Sequence, residues 1–147
     1  FTLLDCGARD VKYVRVHDRE VVEMDWNTEC GAFAGQTVEL LTGYLGIEPE
    51  KLPAGGQRIP VVCGVLGMTQ MFDLISQGES HESAFSKFLG GIAHNCENLV
   101  GRPGRIYLSG GLCENPAFVN SFSCDVSPLG RFVLLEGLRS IADKRPG

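Results

Sequence analysis

The chain has 147 residues, enough for one compact domain, and its 44% apolar and 21% charged content excludes disordered and fibrous classes. Thirteen basic against eighteen acidic side chains leave a net charge of −5. That is the wrong sign for a domain built on phosphate-backbone contacts, so a nucleic-acid partner is not expected.

Residues 2–6 and 11–16 read as two strands joined by the Gly7-Ala8-Arg9-Asp10 turn, the second alternating apolar and polar positions. A third strand is predicted over 20–26, completing an antiparallel meander. Val38, Leu40, Leu41, Tyr44 and Leu45 give a helical spacing from about Gly35 that closes at Gly46. Residues 48–60, with three prolines and the Gly55-Gly56 pair, are predicted as a loop. A helix follows from about Val65 to Ser76. A longer one runs from Ser80 or His81 to about Val100, with Ser80 or Ser83 as cap. Residues 105–109 form a strand running into Gly110-Gly111, and Asn115-Pro116 suits the first turn of another helix. A final amphipathic helix is predicted over 129–142 through Phe132, Leu135, Leu138 and Ile141. Strands, then helices, then a strand feeding a helix indicate an α/β or α+β layered domain.

No run approaches the apolar length of a membrane span, and the N-terminus lacks a signal-peptide layout. A soluble, cytoplasmic protein with no membrane partner is expected. The chain opens on Phe1, inside a strand-like run, as a piece of something longer would.

Six cysteines stand at 6, 30, 63, 96, 113 and 124, with gaps of 24, 33, 33, 17 and 11 residues. Such gaps exclude a zinc ribbon or a bacterial ferredoxin loop, which need closely spaced ligands. Either these are small buried apolar residues, or distant ones meet in space or across a subunit interface.

Three groups of residues carry possible chemistry. Asp5-Cys-Gly7-Ala-Arg-Asp10-Val-Lys12 puts carboxylates beside a glycine at a strand end, where they suit Mg²⁺ or a water at a phosphate. Aspartate and glycine are also ordinary turn residues. Ser109-Gly110-Gly111 offers bare backbone between strand and helix for a nucleotide, or simply a tight turn; it is neither a dinucleotide fingerprint nor a P-loop. Cys30-Gly31 and Cys63-Gly64 each precede a helix, whose dipole favours a thiolate. Two such thiolates are half of an iron–sulfur cluster's ligands, and a two-fold dimer would supply the rest.

Taken in order, Asp5-Cys-Gly-Ala-Arg-Asp-Val-Lys12, Cys30-Gly-Ala-Phe-Ala-Gly35, Cys63-Gly-Val-Leu-Gly67, Leu74-Ile-Ser-Gln-Gly78 and Ser109-Gly-Gly-Leu-Cys-Glu-Asn-Pro116 resemble the activator ATPases of 2-hydroxyacyl-CoA dehydratases and the ATPase subunits of benzoyl-CoA reductases. The resemblance implies an α/β, actin-like (ribonuclease H-like) ATPase fold, of which these residues are about one half. It also implies a homodimer sharing one [4Fe-4S] cluster, with Cys30 and Cys63 as each subunit's ligands. ATP with Mg²⁺ would lie with Asp5 and Asp10 as catalytic carboxylates and Gly7 and Gly35 at the phosphates. Gly110, Gly111 and Asn115 would lie near the adenosine. The implied activity passes a low-potential electron from a ferredoxin or flavodoxin to a CoA-ester dehydratase or reductase. Cys6, Cys96, Cys113 and Cys124 match no ligand position.

The chain departs from the family at Ala8 and Arg9, at Phe33-Ala34, and at Met68 and Gln70. Those departures keep two other expectations in view. One is an actin-like nucleotide-binding module that regulates or scaffolds a larger redox protein without hydrolysis. The other is a sugar-kinase-like member of the wider superfamily.

Overall fold

A computed structural model describes residues 1–27, 35–53 and 57–144. Among these residues five strands form one sheet, β1 (Thr2–Cys6), β2 (Val11–His17), β3 (Glu20–Trp26), β4 (Arg105–Ser109) and β5 (Asp125–Gly130), in the order β3-β2-β1-β4-β5. The first three strands pair antiparallel, as their short connecting turns require, while β1–β4 and β4–β5 are parallel. The helices are α1 (Gly35–Leu45), α2 (Gly64–Ser76), α3 (His81–Leu99), α4 (Pro116–Val119) and α5 (Val133–Ala142).

The central strands β1 and β4 are almost wholly buried, whereas every residue of the edge strand β3 is exposed. Leu4, Cys6, Ile106 and Leu108 from the sheet share one core with Phe85, Phe88, Leu89, Ile92 and Cys96 of α3. Each fully buried phenylalanine or leucine contributes about 2–3 kcal/mol through removal from water. The helices α2 and α3 approach closely where a Cβ at Gly67 would come within 2.8 Å of the Phe88 ring. Ser80 is the N-cap of α3, its hydroxyl accepting from the Ser83 amide at 3.2 Å, which decides between the two candidate caps.

The expected meander, the helices starting near 35, 64 and 81, and the 105–109 strand all form. Within the expected 48–60 loop, Pro49–Lys51 makes a single 3₁₀ turn. The final helix is the correction: it begins at Val133, because residues 125–130 form β5 against β4. Pro128 reads as a strand breaker, but β5 is an edge strand, where a missing N–H costs no ladder bond. The Arg105 Nε donates to Asp125 Oδ2 at 2.6 Å across the β4–β5 register.

The lead-in to β5 is tied down from α3. The Glu97 carboxylate, 3% exposed, accepts from the Ser123 amide and hydroxyl and from the Cys124 amide. By contrast, α5 buries no residue, and its stripe of Phe132, Leu135, Leu138 and Ile141 faces outward. No described helix is long and apolar enough to cross a membrane.

Candidate functional site

Sheet register builds the centre of the site. Antiparallel pairing sets Asp5 opposite Lys12, and parallel pairing with β4 sets the same Asp5 opposite Ser109. The Ser109 hydroxyl donates to Asp5 Oδ2 at 2.7 Å, orienting a carboxylate that is only 8% exposed. Its other oxygen points along the turn, 3.8 Å from where a Cβ on Gly7 would stand. Asp10 closes that turn: its carbonyl accepts from the Gly7 amide at 3.0 Å, and its Oδ1 lies 3.1 Å from the same Cβ position. The two carboxylates therefore flank one glycine, and any side chain there would sit between them. Asp10 is otherwise exposed and pairs with Lys12 Nζ at 3.2 Å.

The turn is docked onto α1. The Gly35 and Gln36 amides donate to the carbonyls of Gly7 and Ala8 at 3.0 and 2.8 Å, and Arg9 Nε donates to Gln36 Oε1 at 3.4 Å. A Cβ on Gly35 would meet the Gly7 carbonyl oxygen at 3.0 Å, so this junction admits little beyond glycine.

From the other side comes the turn after β4. Gly110 has φ +86°, and a Cβ there would stand 2.3 Å from the Cys6 carbonyl oxygen. The chain crosses the end of β1 only because this side chain is missing. Asn115 then caps α4, its Oδ1 accepting from the Phe118 amide at 3.1 Å.

These pieces enclose a cavity of about 550 Å³ whose walls include Gly7, Ala8, Gly35, Gly111, Asn115 and Arg131. Four of the expected cofactor-binding residues thus line one space; Gly110, Asp5 and Asp10 are not among its lining residues, although both carboxylates flank Gly7, which is. The sequence pattern gave no role to Ser109 beyond the turn motif, and none to Gln36 or Arg131. Arg131 pairs with Glu114 at 3.3 Å at the cavity wall. A polar residue next to a glycine after a strand is the one local signal Arg131 offers.

The cysteines divide sharply. Cys63 is the N-cap of α2 and partly exposed, and its side chain caps nothing. Around it Val62, Val65 and Leu66 are exposed apolar residues. Cys30 and Phe33 fall in the stretch outside the described residues, so the expected Cys30–Cys63 ligand pair is not seen together. Cys6 and Cys96 are fully buried with their sulfurs 3.9 Å apart. Hydrogen bonding to Cys96, then burial, push the Cys6 thiol well above its ordinary range. Cys113 is buried too, and burial raises its thiol. Burial likewise raises that of half-buried Cys124. Among the described residues no three His, Cys, Asp or Glu side chains converge as a ready-made metal site.

No family model matches the chain. It is 23% identical over 128 residues to the (R)-2-hydroxyglutaryl-CoA dehydratase activating ATPase of Acidaminococcus fermentans, covering 78% of this chain and 47% of that protein. It is 23% identical over 132 residues to one of the subunits of the benzoyl-CoA reductase of Thauera aromatica, covering 82% and 47%. The chain thus spans about half the length of the curated relatives it matches. Among solved structures, it superposes on the A. fermentans (R)-2-hydroxyglutaryl-CoA dehydratase component A with a TM-score of 0.69 and 17% identity, over 87% of this chain and 54% of that one. The activator of the 2-hydroxyisocaproyl-CoA dehydratase from Clostridium difficile, with bound ADPNP, gives a TM-score of 0.69 and 13% identity over 99% and 64%. The fold is that of these activators, actin-like α/β and about half of it, and the resemblance carried by the motifs holds in both sequence and structure.

Proposed function

We propose that the chain is the nucleotide-binding, cluster-bearing half of an ATP-dependent activator of a CoA-ester dehydratase or reductase. The observation that carries this reading is the convergence of Gly7, Gly35, Gly111 and Asn115 on one cavity, with Asp5 and Asp10 flanking Gly7, in a fold shared with dehydratase activators. A cytoplasmic location goes with it, as does a longer parent chain holding the other half of the actin-like fold.

In this reading the glycine backbone of Gly7 and Gly35 admits phosphates closely, and Gly110, Gly111 and Asn115 shape the adenosine end. Asp5 is preorganised by Ser109, leaving an oxygen toward the phosphates; Asp10, more exposed, faces the same place. Two carboxylates with no third ligand suit Mg²⁺, a hard cation that keeps waters and completes its shell with phosphate oxygens. Asp10 orients the attacking water, while Lys12 holds its carboxylate in position.

Cys63 fits a cluster ligand by chemistry: a partly exposed sulfur at a helix N-terminus, where the dipole favours thiolate, inside an exposed apolar patch. That patch suits a second copy of the chain, and Cys30 would be the partner ligand in each subunit. A bound [4Fe-4S] cluster would supply one-electron chemistry, taking an electron from a ferredoxin or flavodoxin. Because Cys63 stands at the N-terminus of α2, movement of that helix changes the sulfur's surroundings directly.

A second reading, a nucleotide-binding module without hydrolysis, is favoured by Arg9, a bulky cation in the Gly7–Asp10 turn whose Nε donates to Gln36 Oε1 at 3.4 Å.

Anaerobic reconstitution with iron and sulfide tests the proposal. A brown, dimeric protein is expected, with Cys30→Ser and Cys63→Ser each colourless and Cys96→Ser brown. Colour retained in both of the first two variants would overturn the ligand assignment. Mg²⁺-ATP turnover by the full-length parent, with Asp10→Ala as control, then separates hydrolysis from the module reading.

A further inference from the structure

We infer that Cys6 and Cys96 are a redox modification site, closing reversibly to a disulfide between β1 and α3. The pair is separate from the proposed cluster ligands and independent of the nucleotide reading.

Two observations carry it. The two sulfurs already touch, at 3.9 Å, although 90 residues separate them in sequence. A disulfide bond is about 2.0 Å long, so closing it brings the two sulfurs about 2 Å nearer. Cys96 also forms part of the wall of a second, open cavity of about 650 Å³, beside Gly91, His94 and Asn95. Cys96 is 1% exposed and Cys6 fully buried, so an oxidant enters by way of this cavity wall when α3 moves slightly.

A peroxide is the fitting oxidant class. The Cys96 sulfur attacks one peroxide oxygen; an S–O bond forms, the O–O bond breaks, and water leaves with the thiol proton. The Cys6 sulfur then attacks the sulfenic sulfur, forming S–S as the S–O bond breaks and a second water departs. Two electrons pass from the sulfurs to the peroxide, and a dithiol reverses the change. Cys96 lines the cavity and Cys6 does not, so Cys96 meets the oxidant first and Cys6, 3.9 Å behind it, resolves the sulfenic acid.

Position gives the bond a consequence. Cys6 follows Asp5 directly, and its carbonyl is the surface on which Gly110 rests with no spare room. Drawing Cys6 toward α3 therefore shifts the end of β1 that shapes the glycine-lined cavity.

The test uses the purified full chain, reduced, exposed to hydrogen peroxide, then alkylated under denaturing conditions and mapped by mass spectrometry. A peptide linking Cys6 to Cys96, lighter by two hydrogen atoms and restored by dithiothreitol, is expected. It should persist in the Cys30→Ser/Cys63→Ser double variant and in Cys113→Ser, and vanish in Cys96→Ser. Cys6 and Cys96 both recovered alkylated would overturn the inference, as would Cys6 or Cys96 linked chiefly to another cysteine. Mapping of the unsubstituted chain decides the matter even if a variant fails to fold. None of these readouts depends on nucleotide or cluster.

Discussion

Replacing Glu97 tests how the last strand is held. Its Oε1 accepts three donors and its Oε2 shares the Ser123 hydroxyl, all at a site 3% exposed to solvent. Glu97→Ala strands two backbone amides and a hydroxyl without an acceptor. Hydrogen bonds to a charged group contribute about 1.5–3 kcal/mol each and are not additive, so a loss of about 3–5 kcal/mol is expected. Glu97→Gln keeps a carbonyl oxygen where Oε1 stands and gives up only the charge, for about 1–2 kcal/mol. With a urea slope of about 2 kcal/mol/M, the alanine variant should unfold at a midpoint about 2 M lower. Hydrogen exchange should show the Ser123 and Cys124 amides unprotected in that variant alone. A loss under about 1 kcal/mol for Glu97→Ala, or equal losses for both variants, would refute the latch.

Gly110→Ala should cost at least about 3 kcal/mol, from the positive φ and from a Cβ pressed against the Cys6 backbone. Gly104→Ala, where a Cβ meets nothing, should change the melting temperature little. His94 supplies a pH test. Its Nδ1 accepts from Arg58 at 2.9 Å; burial, then Arg58 and Arg102, hold it below its ordinary 6.5, against an opposing pull from Glu97. The unfolded chain therefore takes up this proton first, and stability declines as pH falls from 6.5 toward the lower folded value. Urea midpoints of His94→Gln should lack that part of the decline, and an unchanged profile would show that His94 does not contribute.

Much of the molecule is local and so was legible in the residues themselves. The meander follows from alternation and a four-residue turn, α3 from its cap and apolar spacing, and Gly7, Gly35 and Gly111 from glycine standing where strand meets turn or helix. Cys63 at a helix start is likewise a local reading. What remained hidden depends on strands distant in the chain. Pro128 and Gly130 argue locally against a strand, and only the free edge of β4 together with the carboxylate of Glu97 makes one there. The same holds for Cys6 against Cys96 and for Ser109 on Asp5: local pattern has a period of two or about four residues, whereas β1–β4 pairing joins positions 104 residues apart. The residue types and their order were fixed along the chain, but which of them touch was decided by sheet register, because hydrogen-bonded strands align side chains that sequence spacing keeps far apart.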